Sequence, residues 1–345
     1  MKLRAGDWVE IRTKQEILDT LDKNGRLEGL PFMPQMFSYC GQRFRVYKRA
    51  HKTCDTVTKT GGRRLTDSVH LELRCDGEAY GGCQAACLLF WKEAWLKPVG
   101  KGYKSSAFAI GAEHRTVDNN GRCTEADVLA ATIAPDQSAN EEPTYVCQAT
   151  LLPTYTTILP WWDIRQYLED YTSGNITIRR IISALSYACY HRLLRHRVRL
   201  APPLLKLYDS FQALWGGSPY PRRKGTIPAG NPTPSVNLNL QPGELVRVKS
   251  YGEILETLDE YNKNKGLLFD AELVPYCEGT YRVKVRLSKF LDERTGKMTT
   301  IKTPAIILEN VWCQSRYSDC RLFCPRSIYS WWREAWLERI SEGEE

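Results

Sequence analysis

The chain has 345 residues, 42% hydrophobic and 26% charged, and 48 Lys and Arg against 40 Asp and Glu leave a formal charge of +8. That length allows two or three domains, and no run of about 18 apolar residues is present to span a bilayer. The short basic start, Met1 to Asp7, has no apolar stretch behind it, so no secretory signal is expected; the expectation is a cytoplasmic protein whose twelve cysteines are metal ligands or reactive groups rather than disulfides.

Trp8, Val9 and Ile11 alternate as a short strand, and Thr13-x-x-Glu16 is a capping-box pattern that starts a helix through Leu21. Strands are expected over 43–47 and 69–73 around a turn at Gly61-Gly62, followed by an aromatic helix over 83–96. Trp91 and Trp95, spaced i,i+4, would share one face of that helix and pack on their own unit.

The same text returns 237 residues later. Gly6-Asp7-Trp8-Val9 falls on Gly243-Glu244-Leu245-Val246, Glu16 on Glu253, Gly29 on Gly266, Tyr39-Cys40 on Tyr276-Cys277 and Arg45-Val46 on Arg282-Val283. After one inserted residue near Asn310, Cys75 meets Cys313; Cys83 and Cys87 meet Cys320 and Cys324. Trp91 and Trp95 match Trp332 and Trp336 once four more residues are inserted. The second copy therefore repeats the expected elements, with strands over 281–285 and 305–308 and a helix over 320–340.

Four cysteines matching four suggest a metal site in each copy: Cys40, Cys75, Cys83 and Cys87, and Cys277, Cys313, Cys320 and Cys324. Thiols at i,i+4 would share a helix face, although Pro325 confines the second helix to a start near Cys324. Zinc with four thiolates is the first reading and a [4Fe-4S] cluster the second, since neither copy has the Cys-x-x-Cys knuckle of zinc ribbons; small buried core residues are the bland alternative. His51 and Cys54 occur only in the first copy, where the second has Ser288 and Leu291. With Cys123 and Cys147 they could form a third metal site, against the alternative of buried or reactive thiols.

Between the copies, residues 107–110 read as strand-like and 136–143 as an exposed loop. A helix opens after Pro160 and stops at 172–175. Ile178, Ile181, Ile182, Leu185, Cys189 and Leu193 then recur at helical spacing with Arg179, Arg180, Arg192, Arg195, Arg197 and Arg199 around them. This basic amphipathic helix suits a core helix with a solvated cationic face, a nucleic-acid contact, or an acidic-partner or membrane-surface contact; Cys189 is expected in the core. Residues 216–242 are too rich in Pro and Gly for regular structure and read as a linker, whose Arg222-Arg223-Lys224 could touch phosphate or simply be solvated.

Strand-rich pieces opening on Gly-Asp-x-Val resemble small β-barrels of the KOW type, and the whole chain is similar to a bacterial family of duplicated cysteine-rich proteins, a resemblance that implies no activity. No Gly-x-Gly-x-x-Gly, P-loop, His-Glu-x-x-His or Gly-x-Ser-x-Gly motif occurs, so no nucleotide cofactor is expected.

The expected fold is α+β: two homologous small β-barrel-like units, at 1–97 and 243–345, each with a C-terminal aromatic helix and a four-cysteine site. They flank a mainly helical segment at 98–215 and a linker at 216–242. The expected function is a metal-stabilised binding or scaffold protein with a basic, aromatic surface for nucleic acid or an acidic protein partner. An iron-sulfur redox protein, or a metalloenzyme with chemistry near His51 and Cys54, is the alternative.

Overall fold

The computed structural model describes residues 2–100, 122–135, 142–196, 201–214, 216–318 and 320–340. The chain divides into two compact units. Unit 1 comprises Met1–Thr177, Lys289–Thr299 and Phe323–Arg326, and unit 2 comprises Ile178–Ser288, Thr300–Leu322 and Ser327–Glu345. Both mix helix and strand.

Unit 1 opens with β1 (Trp8–Ile11) and α1 (Lys14–Leu18). The Thr13 hydroxyl caps the helix while the Glu16 carboxylate accepts from the Thr13 backbone N–H at 2.9 Å, satisfying donors that a helix start leaves open. A tight hairpin of β2 (Arg26–Leu27) and β3 (Leu30–Pro31) leads to a 3-10 turn over Pro34–Tyr39. Next come β4 (Arg43–Arg49), β5 (Lys52–Cys54), β6 (Gly62–Arg64), β7 (Ser68–Arg74), β8 (Leu88–Lys92) and β9 (Leu96–Pro98). Then follow α2 (Glu125–Ala130), β10 (Thr157–Leu159) and α3 (Arg165–Thr172). The strands make a five-stranded sheet of order β8-β7-β4-β1-β9 and a three-stranded sheet of order β10-β6-β5.

Unit 2 begins with α4 (Ile178–His196) and α5 (Ala201–Leu214). It continues with β11 (Leu245–Val248), α6 (Tyr251–Leu255), β12 (Lys263–Asn264), β13 (Leu267–Leu268), β14 (Thr280–Leu291), β15 (Met298–Trp312), β16 (Tyr329–Trp332) and β17 (Leu337–Arg339), except that the last three residues of β14 and the first two of β15 belong to unit 1. Its sheet runs β16-β15-β14-β11-β17. Trp8 pairs with Arg45 in β1–β4, and Leu245 pairs with Arg282 in β11–β14, each partner displaced by the same 237 positions.

The tryptophans lie in the core, but on different elements from those expected. Trp91 is the next-to-last residue of a strand and Trp95 lies in a 3-10 turn over Glu93–Trp95; Trp332 ends a strand and Trp336 lies in a 3-10 turn over Glu334–Trp336. The expected aromatic helix is absent from both copies. Left-handed backbone at Gly81, Gly82 and Ala86 (φ 62°, 74° and 47°) interrupts any helix through the first, and Phe323 and Ser327 (φ 60° and 44°) interrupt the second. All five residues of β8 are buried, and a short run buried on every side has no period that separates strand from helix. Trp95 donates from its indole N–H to Thr20 Oγ1 at 3.1 Å and meets Phe32 edge-on at 5.1 Å; Trp336 does the same with Thr257 at 3.0 Å and Phe269 at 5.1 Å.

Three other expectations change. Residues 216–242 lack regular structure but are not a solvated tether: Leu240 and Tyr220 are buried, Arg222 donates to the Tyr187 hydroxyl at 3.1 Å, and Arg223 pairs with Asp209. The stripe expected to be the core face of α4 points outward, with Ile178, Ile182, Leu185 and Leu193 all more than half exposed, while Ala184, Tyr187 and Leu194 are buried. Cys189, expected in the core, is exposed. The strand-like 107–110 and most of the 136–143 loop lie outside the described residues. Among the described residues no helix is long and apolar enough to cross a membrane.

Replacing either fully buried indole should leave a large cavity. Trp95→Ala and Trp336→Ala are each expected to lower the unfolding free energy by about 3–5 kcal/mol, measured by urea denaturation followed by circular dichroism.

Candidate functional site

Unit 1 gathers four thiols at one place. Cys75, at the end of β7, Cys83 and Cys87, in the irregular segment before β8, and Cys147 all line a cavity of about 40 Å³, with Tyr80, Phe90, Glu293 and Arg326 among the other walls. That exceeds the roughly 10–15 Å³ needed to hold one water. The Cys75 N–H donates to the Cys87 carbonyl at 2.8 Å, and the Cys83 sulfur accepts from the Leu291 N–H at 3.3 Å. Gly77 makes this loop possible: at φ 79° a Cβ would lie 2.0 Å from the Cys83 carbonyl oxygen. Burial pushes the Cys75 thiol up to about 12, and burial likewise raises Cys87 and Cys147, reinforced by the nearby Glu293 carboxylate. Without a cation these three thiols stay protonated at neutral pH.

This set differs from the expected quartet in one member. Cys40 closes the 3-10 turn elsewhere in the same core, near Lys14 and Glu125, and Cys147 stands at the cavity instead. The second quartet is divided: Cys277, Cys313 and Cys320 belong to unit 2, whereas Cys324 belongs to unit 1. Cys277 closes the equivalent 3-10 turn with its thiol pushed up to about 12 by burial, Cys313 lies 3.5 Å from the Ser315 hydroxyl, and Cys320 is exposed. Among the described residues no group of three or more His, Cys, Asp or Glu side chains is placed to hold a metal ion.

The four members expected at a third site occupy three places. Cys147 is at the cavity, Cys123 precedes α2 with its thiol 3.6 Å from the Thr124 carbonyl, and His51 and Cys54 lie beside α3 and Cys324. His51 Nε2 is 3.2 Å from Asp170 Oδ1 and 3.3 Å from the Gln166 carbonyl, while Lys52 Nζ is 2.5 Å from Asp170 Oδ2 and 3.2 Å from Gln166 Oε1. The Cys54 N–H donates to the Cys324 sulfur at 3.1 Å. Tyr167 and Phe323 place their rings 5.0 and 5.8 Å from the Lys52 ammonium. Burial pulls the Lys52 pKa down and the Asp170 carboxylate opposes that shift.

Arg49 extends the cluster, reaching Glu93 at 2.5 Å and Glu169 at 3.3 Å. Three basic residues of the first copy thus grip the inner face of α3. The difference between copies at His51 pointed to this region, but nothing in the sequence linked it to Gln166, Glu169 and Asp170 more than 110 positions away. The cysteine count located three cavity thiols and gave no sign of Arg326, which is buried against Thr56 at 2.8 Å and Glu293 at 2.9 Å.

Of the candidate cationic contacts, Arg179 and Arg192 are exposed, Arg180 donates to the Gln314 carbonyl at 2.9 Å, and Lys224 is exposed beside the engaged Arg222 and Arg223. Arg195 lies in the last turn of α4, and Arg197 and Arg199 fall outside the described residues. No family model matches this chain, and no curated protein shows significant similarity to it.

Lys52→Met would leave Asp170 buried without its cation and is expected to cost about 3–5 kcal/mol, most of which Lys52→Met with Asp170→Leu should restore; thermal and urea unfolding of the three variants measures both. His70 gives a pH signature. Burial brings its pKa down to about 3, with its Nδ1 held 2.8 Å from the Leu89 carbonyl. Below the unfolded value near 6.5, the unfolded chain takes up a proton that the folded one refuses. Stability is therefore lost as pH falls from about 6.5 towards 3, and His70→Asn should flatten that loss by about 1.4 kcal/mol per pH unit.

Proposed function

We propose that this chain is a metal-stabilised binding protein built from two copies of one α+β unit. The observation that supports the metal half is that Cys75, Cys83, Cys87 and Cys147 line one cavity, although as placed they do not form a ligand group. Thiolates bind soft cations, and four of them satisfy tetrahedral zinc completely, which is the chemistry of a structural centre. Closing on an ion requires the sulfurs to draw together, and the segment carrying Cys83 and Cys87 has no regular structure to resist that. Metal binding would then displace the protons that burial keeps on the thiols and staple β7, β8 and the Cys147 turn into one core. A [4Fe-4S] cluster is the second reading, favoured by thiols that surround an open space.

The binding half rests on the cationic, partly apolar exterior of α4, suited to nucleic acid or an acidic protein. An enzyme centred on His51 and Cys54 finds less support: His51, Lys52 and Cys54 are buried, His51 and Lys52 both pair with the buried Asp170, and Cys54 lies beside Cys324.

Metal analysis of anaerobically purified protein, with its visible spectrum, tests the proposal. Zinc without colour is expected, and iron with broad visible absorbance would select the cluster. Cys87→Ser and Cys147→Ser should lose the unit 1 metal while Cys40→Ser keeps it. A chain without bound metal after purification and reconstitution, or one that needs Cys40 and not Cys147, would overturn this ligand set.

A further inference from the structure

Helix α4 has two apolar faces, and among the described residues one is covered and the other exposed. Ala184, Tyr187 and Leu194 are buried, and Tyr187 and Leu194 pack with Tyr220, Tyr208 and Tyr317. On the other side Ile178, Ile182, Leu185 and Leu193 are 52–59% exposed, and Cys189 between them is exposed too. Their steps of four, three, four and four residues form one straight ridge, about 22 Å long at 1.5 Å per residue. α5 repeats the arrangement with exposed Leu207, Phe211 and Leu214. Apolar rows of this extent on an otherwise charged surface mark a contact surface.

Charge decides what fits. From Ile178 to His196 the helix contains no Asp or Glu, and Arg179 and Arg192 are exposed beside the ridge. The one acidic residue of α5, Asp209, is already engaged by Arg223 and by the Tyr220 N–H at 2.9 Å. A second copy would set arginine against arginine. Nucleic acid would meet aliphatic side chains at the crest where phosphate needs cations. A membrane-surface helix sinks its apolar face about 5–10 Å into lipid, whereas these side chains are each nearly half covered already and form a low ridge.

We propose that α4 docks an amphipathic helix of a partner protein, its apolar stripe lying along Ile178–Leu193 and its acidic flanks meeting Arg179 and Arg192. This rests on reading the chain as a binding protein and not on its metal. Two labelled 21-residue peptides sharing one Leu/Ile heptad stripe, one flanked by Glu and the other by Lys, are titrated onto the full-length chain and read by anisotropy. The Glu peptide should bind at least tenfold more tightly and weaken as salt rises. Ile182→Ser with Leu185→Ser should reduce that binding tenfold or more, with unfolding temperature unchanged because both side chains are exposed. Equal affinity for the two peptides, or none for either, overturns the proposal. So does a concentration-dependent dimer, recruitment to phosphatidylserine vesicles or single-stranded DNA binding that the same double substitution abolishes. Metal-free protein that still binds the Glu peptide leaves the proposal standing while the metal reading falls.

Discussion

Three closely spaced basic residues that grip α3 organise unit 1. Arg49, His51 and Lys52 leave the end of β4 and the start of β5 as a basic run with almost no access to water, and Glu169, Asp170 and the Gln166 amide and carbonyl meet them from the helix. A buried ammonium or carboxylate costs several kcal/mol in desolvation unless it is paired and hydrogen-bonded, so the helix has to present its polar face inward. Its apolar residues are then left outside: Ile164, Leu168 and Tyr171 are each at least half exposed, beside exposed Trp161 and Trp162. The inverted helix follows from the charge pairing.

Part of the clamp is common to both copies and part is not. Arg49 pairs with Glu93, and Arg286 stands 3.6 Å from Glu334; Glu93 accepts the Leu3 N–H and Glu334 the Leu240 N–H. These contacts tie the lead-in peptide to the turn carrying the core tryptophan, a job each sheet needs. His51 and Lys52 act on α3, which has no counterpart beside the second sheet among the described residues. The feature that made the first copy look chemically special is thus explained by an added element that must be held, using side chains that a metal or catalytic site would also use.

What the sequence disclosed follows the range of the interactions. Capping at Thr13, the strands at 43–47 and 281–285, and the turn after Thr172 depend on neighbours within a few residues, and all were legible. The duplication supplied its own register, since 237 positions separate ladder partners as well as letters. Three things were hidden. β8 is buried on all sides and carries no period. The left-handed backbone at Ala86 and Phe323 sits on residues that do not advertise it, unlike the glycines at 81 and 82. And α4 has apolar residues on two faces, so spacing alone could not tell which face was covered. For the candidate site, cysteine spacing found Cys75, Cys83 and Cys87 because they lie within thirteen positions of one another. Cys147 arrives from a turn 60 residues further on, and only packing reveals it.

The division of the chain has a consequence for its synthesis. Unit 1 is discontinuous, taking Lys289–Thr299 and Phe323–Arg326 after Thr177, so an N-terminal half emerging from the ribosome lacks Leu291 beneath the thiol loop and Cys324 beside Cys54 until some 150 residues later. At about 5–20 residues per second that interval is roughly 8–30 s. During it the first copy is an incomplete domain with its cysteines open to oxidants and to stray cations. Unit 1 is therefore complete only once Phe323–Arg326 has been made, late in the second copy.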